Sequence, residues 1–255
     1  YLMCLLYGAR LALPQLAVAV TRLAGRVSKW SAECDDRLIR LYDYAHDRLQ
    51  DSIHGSLSTT DSPIAEIWAW PDADLAGDKL FSSKSTSGRF IEIVGSNGRG
   101  MPLHWATNKQ TGTALSTSDA ETVSLRECMK MEALAIQSFF SLVGGRPIVL
   151  RVLEDDTTCI TAVEKGYSPA MRYLPRTQRT SLGFLHEVFH EMDGSTFGPA
   201  ILQHASTKKH KGDFFTKDSF TAEEFNKALT SLRIHGSFED FLRGERNILG
   251  IKPPK

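Results

Sequence analysis

The chain has 255 residues, and thirty basic side chains balance thirty acidic ones for a formal charge of zero. That length holds one large or two modest domains. The even balance argues against a free-standing basic nucleic-acid binder, so any nucleic acid must be held by local patches or metal ions.

The cysteines, Cys4, Cys34, Cys128 and Cys159, form no C-x-x-C pair. This argues against a zinc site or a disulfide framework and suits a reducing, intracellular compartment. The apolar N-terminus is broken by Arg10, Pro14 and Arg22, which leaves too short a run to span a bilayer, so no membrane partner is expected. It has no basic n-region of a signal peptide. Starting in mid-helix, the chain reads as a fragment of something longer.

Residues 1–30 are helical in pattern. Pro14 suits a first helical turn, and Leu16, Val20, Leu23 and Val27 share one face. Ser31 is placed to cap a second helix with Leu38, Leu41, Tyr42, Ala45 and Leu49 as its apolar side. Residues 51–62, rich in Ser, Thr and Gly, read as a linker. The expected division is a helical segment over 1–55, an α/β domain over 63–234 and a loosely ordered tail over 235–255.

An apolar run containing Ile64, Ile67, Trp68 and Trp70 leads into an acidic turn at Asp72-Ala-Asp74, followed by a Gly77-Asp78 turn. Two further strands are expected over 89–94 and 101–109. A helix then starts near Ser118, where Glu121 stands at capping-box spacing, and stops at Gly144-Gly145. Residues 148–153 form an almost unbroken apolar run ending in Glu154-Asp155-Asp156, the profile of a buried strand with carboxylates at its C-terminal end. Ligands of open α/β sheets collect at such ends.

A short helix over 157–165 is closed by Gly166. Arg172, Arg176 and Arg179 lead into a helix with Leu182, Leu185, Val188, Phe189 and Met192 on its buried side. A strand is expected over 199–205, then a basic cluster of Lys208, Lys209, His210 and Lys211. Thr221 and Glu224 form a capping box for a last helix with Phe225, Leu229 and Leu232 inward.

One carboxylate (Asp72) ends a first strand, a second (Glu121) opens a helix and a third (Asp155) ends a buried strand. Converging carboxylates suit Mg²⁺ or Mn²⁺, and two such ions support phosphodiester cleavage.

Residues 69–217 resemble the ribonuclease H domain of a copia-type retrotransposon Pol polyprotein. The matching pieces are Asp72-Ala-Asp-Leu-Ala-Gly-Asp78, Lys84-Ser-Thr-Ser-Gly88, Trp105 with Lys109-Gln110, and Ala114-Leu-Ser-Thr-Ser-Asp-Ala-Glu121. Glu154-Asp-Asp156, Arg176-Thr177 with the helix to His186, and Gly212-Asp-Phe-Phe-Thr-Lys217 complete the series. Leu5-Leu-Tyr7, residues 13–30 and the helix after them resemble the C-terminal end of that polyprotein's reverse transcriptase.

The resemblance implies a ribonuclease H-like fold: a mixed β-sheet flanked by helices, preceded by a small helical segment. It implies cleavage of the RNA strand of RNA–DNA hybrids with Mg²⁺ or Mn²⁺, two ions in all, leaving a 5′-phosphate and a 3′-hydroxyl. Asp72, Glu121 and Asp155 match the catalytic, metal-binding carboxylates. A fourth ligand is expected at position 181, where this chain has Ser181, with His186, Glu187 and His190 as nearby substitutes. Arg172, Arg176, Arg179, Lys208, Lys209 and Lys211 are the expected grip on phosphates and RNA 2′-hydroxyls.

The remainder of the polyprotein is the implied partner, and a cytoplasmic retrotransposon particle the implied location. No reverse-transcriptase active site is present: paired aspartates in a hydrophobic hairpin are needed, and Cys34-Asp35-Asp36 falls in a helix. Two other readings stand beside this one. A catalytically decayed binding or connection module would follow from the loss at Ser181. An integrase of the same superfamily fits poorly, because its acids run Asp, Asp, Glu.

Overall fold

The computed structural model describes residues 1–58, 65–77, 82–96, 98–192, 194–237 and 239–241. Ile64, Asp78 and most of the expected tail lie outside them.

Helices α1 (Leu2–Leu11), α2 (Ala17–Ala24) and α3 (Ala32–Asp47) open the chain. Pro14 begins a 3₁₀ turn, Pro14–Leu16, that feeds α2. Leu16, Val20 and Leu23 are buried as the periodicity predicts, together with Leu2, Leu5 and Cys34. Val27 does not join them and is 55% exposed, because α2 has already ended before Gly25. Ser31 takes the N-cap position of α3, although its hydroxyl makes no capping bond. Leu49, beyond the last turn of α3, is exposed.

Strands β2 (Glu66–Asp74), β3 (Thr86–Val94) and β4 (Gly100–Lys109) form an antiparallel meander. After it come α4 (Thr117–Cys128), a π-helical turn at Met129–Ala133 and α5 (Leu134–Gly144). Strand β5 (Leu150–Glu154) then pairs parallel with β2, and β6 (Ala200–His204) pairs parallel with β5. The five-stranded order is β4-β3-β2-β5-β6. This is the mixed sheet flanked by helices that a ribonuclease H-like fold requires. Gly145 closes α5 in the left-handed conformation at φ 62°.

Both faces of the sheet are covered. Ile67, Ala69, Ile91, Ile93, Leu150 and Val152 pack against α4 and its continuation, and against α6 (Thr157–Lys165) and α8 (Leu182–His186). A short helix α7 (Leu174–Thr177) precedes α8. Trp70, Phe90, Trp105 and Leu153 occupy the other face, beneath Phe214, Phe215 and α9 (Ala222–Ser231). The opening helices lie on that second face too. Ala17 enters its core, Trp105 Nε1 donates to Ala9 O at 2.7 Å, and Arg22 pairs with Asp74 at 3.1 Å.

Four expectations need correction. The strand containing Asp72 does not turn there: it continues to Asp74 because Thr86, Ser87 and Gly88 pair with it. The linker contains a short strand, β1 (Ser52–Ile53), which pairs with β7 (Ile234–His235), a strand straddling the start of the expected tail. The described part of that tail is anchored by Phe241, 1% exposed and stacked on His54 at 5.1 Å. Met192 is 55% exposed because the backbone leaves the helix at that residue.

Among the described residues no helix is long and apolar enough to cross a membrane.

Candidate metal centre

Asp72, Glu121 and Asp155 come together. Each offers a carboxylate oxygen, and these atoms lie within 4.8 Å of one another. Three elements produce the convergence. Asp72 sits near the C-terminal end of β2, which carries its side chain beyond the neighbouring β5. Asp155 follows the last residue of β5, where the strand gives way to α6. Glu121 comes from α4, one turn inside the helix rather than at its cap.

That last point corrects the capping-box expectation. Ser116 is the N-cap of α4 and accepts from Asp119 N at 3.2 Å. Released from capping, the Glu121 side chain is buried, and its Oε2 has no hydrogen-bond partner among the described residues. Asp156 is a cap, and a productive one: its carboxylate accepts from Thr158 N and Cys159 N at the start of α6. Asp155 is thereby left free to face Asp72 and Glu121.

A second group shares Asp72. His210 and Asp213 offer ligand atoms that also lie within 4.8 Å of each other and of Asp72. They come from a segment that forms a 3₁₀ turn, Lys211–Phe215, against the sheet. Close approach here depends on two glycines that leave room for it. A Cβ on Gly212 would stand 2.7 Å from Asp72 Cβ, and one on Gly88 would stand 2.6 Å from Thr216 Cγ2. Thr216 Oγ1 then donates to Asp72 Oδ2, and Lys217 Nζ pairs with Asp213 Oδ1 at 2.6 Å.

Asp213 adds a further carboxylate beside Asp72, in a segment where no ligand is expected from the sequence. Ser181 instead caps α8, its hydroxyl accepting from Phe184 N at 3.2 Å. His186 is engaged elsewhere, with Nδ1 3.1 Å from Val163 O, and Glu187 and His190 are exposed on the same helix. Asp213 was present in the Gly212-Asp-Phe-Phe-Thr-Lys217 motif. Its signal was the glycine beside it, read only as part of a pattern.

Electrostatically the site is a store of mutual repulsion. Burial raises the Asp72 pKa to about 8, helped by Asp213 and Asp155 and opposed by the Thr216 hydroxyl and Lys217. Burial likewise pushes Glu121 well above its ordinary range, with Glu154 and Asp72 adding to it. Glu154, unassigned in the sequence reading, is completely buried. Its Oε1 accepts from Asp156 N at 3.2 Å, while Oε2 has no partner among the described residues. Its pKa too is driven up, chiefly by burial. Burial lowers that of His210 despite the opposing pull of the Leu153 carbonyl. Burial also works against the Lys217 charge, but the carboxylates around it outweigh that and raise its pKa.

Buried carboxylates with orphaned oxygens fit a divalent cation, which would supply the missing positive charge. The residues present therefore match the group the resemblance implies.

The expected basic grip divides. Arg172, Arg176, Arg179, Lys208 and Lys209 are exposed and make no ion pair among the described residues. Lys211 is different. Its ammonium pairs with the buried Glu92 and lies 5.6 Å from the Trp70 ring centre and 5.5 Å from that of Phe90. That charge is spent inside the fold.

No protein-family model and no curated protein matches the chain. Among solved structures, the chain is similar to the ribonuclease H1 of the halophilic archaeon Halobacterium salinarum, with 13% identity over 58% of this chain and 90% of that one, at a TM-score of 0.36. It is also similar to LC11 ribonuclease H1, solved in complex with an RNA/DNA hybrid, with 14% identity over 64% and 99% of the two chains and a TM-score of 0.38. A third similarity is to the prototype foamy virus protease–reverse transcriptase, with 12% identity over 71% of this chain but 22% of that one, at a TM-score of 0.33. The strand order and register described above are those of an α/β fold with a mixed five-stranded sheet flanked by helices.

Proposed function

We propose that residues 63–234 form a ribonuclease H-type endonuclease that hydrolyses the RNA strand of RNA–DNA hybrids. On this reading the chain is part of a copia-type retrotransposon polyprotein, and residues 1–55 are the end of its reverse transcriptase. The observation that carries the proposal is the convergence of Asp72, Glu121 and Asp155 at the carboxyl ends of two parallel strands.

Bound divalent cations supply an activated water and neutralise charge on the leaving oxygen. The protein's part is to hold the carboxylates in place. Asp72 belongs to both acidic groups, so it would serve both sides of the centre. Glu121 and Asp155 provide for one side, and Asp213 for the other. Arg172, Arg176, Arg179, Lys208 and Lys209 are the cations left to grip phosphates, whereas Lys211 is withdrawn by Glu92.

A decayed module was the alternative while position 181 was taken for the fourth ligand. Asp213 supplies an acidic group beside Asp72, and this favours the active reading over that alternative.

The test is substrate choice. Labelled RNA–DNA hybrid, single-stranded RNA and double-stranded DNA are offered with Mg²⁺ or Mn²⁺, and the product ends are mapped. Cleavage confined to the RNA of the hybrid, leaving 5′-phosphates and 3′-hydroxyls, is expected. Equal cutting of all three, or 3′-phosphate ends, would contradict the proposal.

A further inference from the structure

His210 has a ring nitrogen that the fold of this chain leaves without a partner at the acidic centre. Its side chain is fully buried. Nε2 lies 2.8 Å from Leu153 O, and a carbonyl oxygen accepts only, so the proton sits on Nε2. In the neutral imidazole Nδ1 then carries the lone pair. It is buried, has no hydrogen-bond partner among the described residues and lies 4.0 Å from Asp72 Oδ1.

That separation is too long for a hydrogen bond. It suits two donors flanking one cation: with each about 2.1 Å from the ion, they stand roughly 3–4 Å apart. Asp213 completes the set, since one of its carboxylate oxygens, a ring nitrogen of His210 and a carboxylate oxygen of Asp72 lie within 4.8 Å of one another. The ring is held in this orientation by the edge of Trp70, with centroids 5.6 Å apart, and by the absence of a Cβ on Gly212, which would stand 2.9 Å from His210 Cε1. Giving the second ring N–H to a backbone carbonyl is also how ligating histidines are fixed.

We propose that His210 is a nitrogen ligand of the metal centre, so that its Asp213 side has a mixed carboxylate–imidazole donor set that takes Mn²⁺, Co²⁺ or Zn²⁺ in preference to Mg²⁺. Imidazole is a good donor to those ions and a poor one to Mg²⁺, which favours all-oxygen octahedral sites. The inference rests on the reading of Asp72 as a metal-binding carboxylate. It adds a ligand and a metal preference.

The test is pulsed electron paramagnetic resonance of the full chain loaded with Mn²⁺, read for coupling to nitrogen. It is run on the parent, on parent protein grown with ¹⁵N-histidine and on His210→Gln. The substitution keeps an N–H for Leu153 O while removing the ring nitrogen, and circular dichroism checks its fold. Histidine nitrogen coupling in the parent, its isotope shift in the labelled protein and its loss in His210→Gln are expected. Competition titrations should then show Zn²⁺ affinity falling about 10–100-fold, the range lost even when only an outer partner is removed, with Mg²⁺ affinity nearly unchanged. Coupling that persists in His210→Gln, or a parent that binds Mn²⁺ without it, overturns the inference and leaves the carboxylate site standing. A folded parent that binds no Mn²⁺ overturns both.

Discussion

Ser124 Oγ donates to the carbonyl oxygen of Asp72 at 2.7 Å and approaches Gly88 O at 3.3 Å. Ser124 lies one helical turn beyond Glu121 on α4 and is completely buried. This bond ties the helix that carries one carboxylate to the strand that carries another, and so sets their separation.

Ser124→Ala should keep the fold, at a cost of about 0.5–1.5 kcal/mol for the lost bond, while weakening Mn²⁺ binding and hybrid cleavage together. Calorimetric titration alongside a denaturant melt checks this. A variant that is destabilised yet binds Mn²⁺ as the parent does would assign Ser124 a purely structural role.

Asp213 and Ser181 make opposite predictions. Asp213→Asn should lower cleavage by roughly 10²–10³-fold, the usual loss when one member of a charge-stabilising set is removed. Ser181→Asp should leave both activity and stability near the parent's, because Asp is as good an N-cap as Ser and position 181 serves α8. Parallel rate measurements on the two variants decide. A large gain from Ser181→Asp would return the fourth ligand to that helix.

The metal-free protein should lose stability as pH rises. Asp72 titrates at about 8 in the fold against an ordinary 3.8, and Glu121 and Glu154 are displaced in the same direction. Between those limits the folded state binds more protons than the unfolded chain, so unfolding is progressively favoured as pH increases. In EDTA, the melting temperature is expected to fall from pH 4 toward pH 8, as read by thermal melts across that window. Mn²⁺ should raise it more at pH 8 than at pH 5, because protons then no longer compete for the carboxylates. A melting temperature that climbs with pH in EDTA would show that these groups are not the buried acids described.

Much of this architecture is legible in the residues. The run ending at Glu154 and the glycines closing α5 and α6 mark their elements because each reflects a local cause: burial on both faces, or a left-handed φ. Asp72 and Asp155 are legible for the same reason, as polar residues at the ends of apolar strands. What is hidden depends on distant pairing. Ser85-Thr-Ser-Gly88 has the composition of a loop, yet Thr86, Ser87 and Gly88 extend β3 because β2 and β4 lie on either side. The two-residue strands β1 and β7 have no pattern to read at that length. Asp213 and His210 stand in a basic, turn-like stretch, and only the close contact between Gly212 and Asp72 brings them to the centre. The Lys211 pairing is hidden for a related reason: its partner Glu92 lies 119 positions away.

The most direct test of the account is cleavage of end-labelled RNA–DNA hybrid by the full chain in Mn²⁺, with Asp72→Asn in parallel. Asp72 is the one residue common to both acidic groups. The account predicts RNA cleavage by the parent and none by Asp72→Asn, whose fold survives by circular dichroism. Equal cleavage by the two proteins, or none by a folded parent in either Mn²⁺ or Mg²⁺, would contradict it.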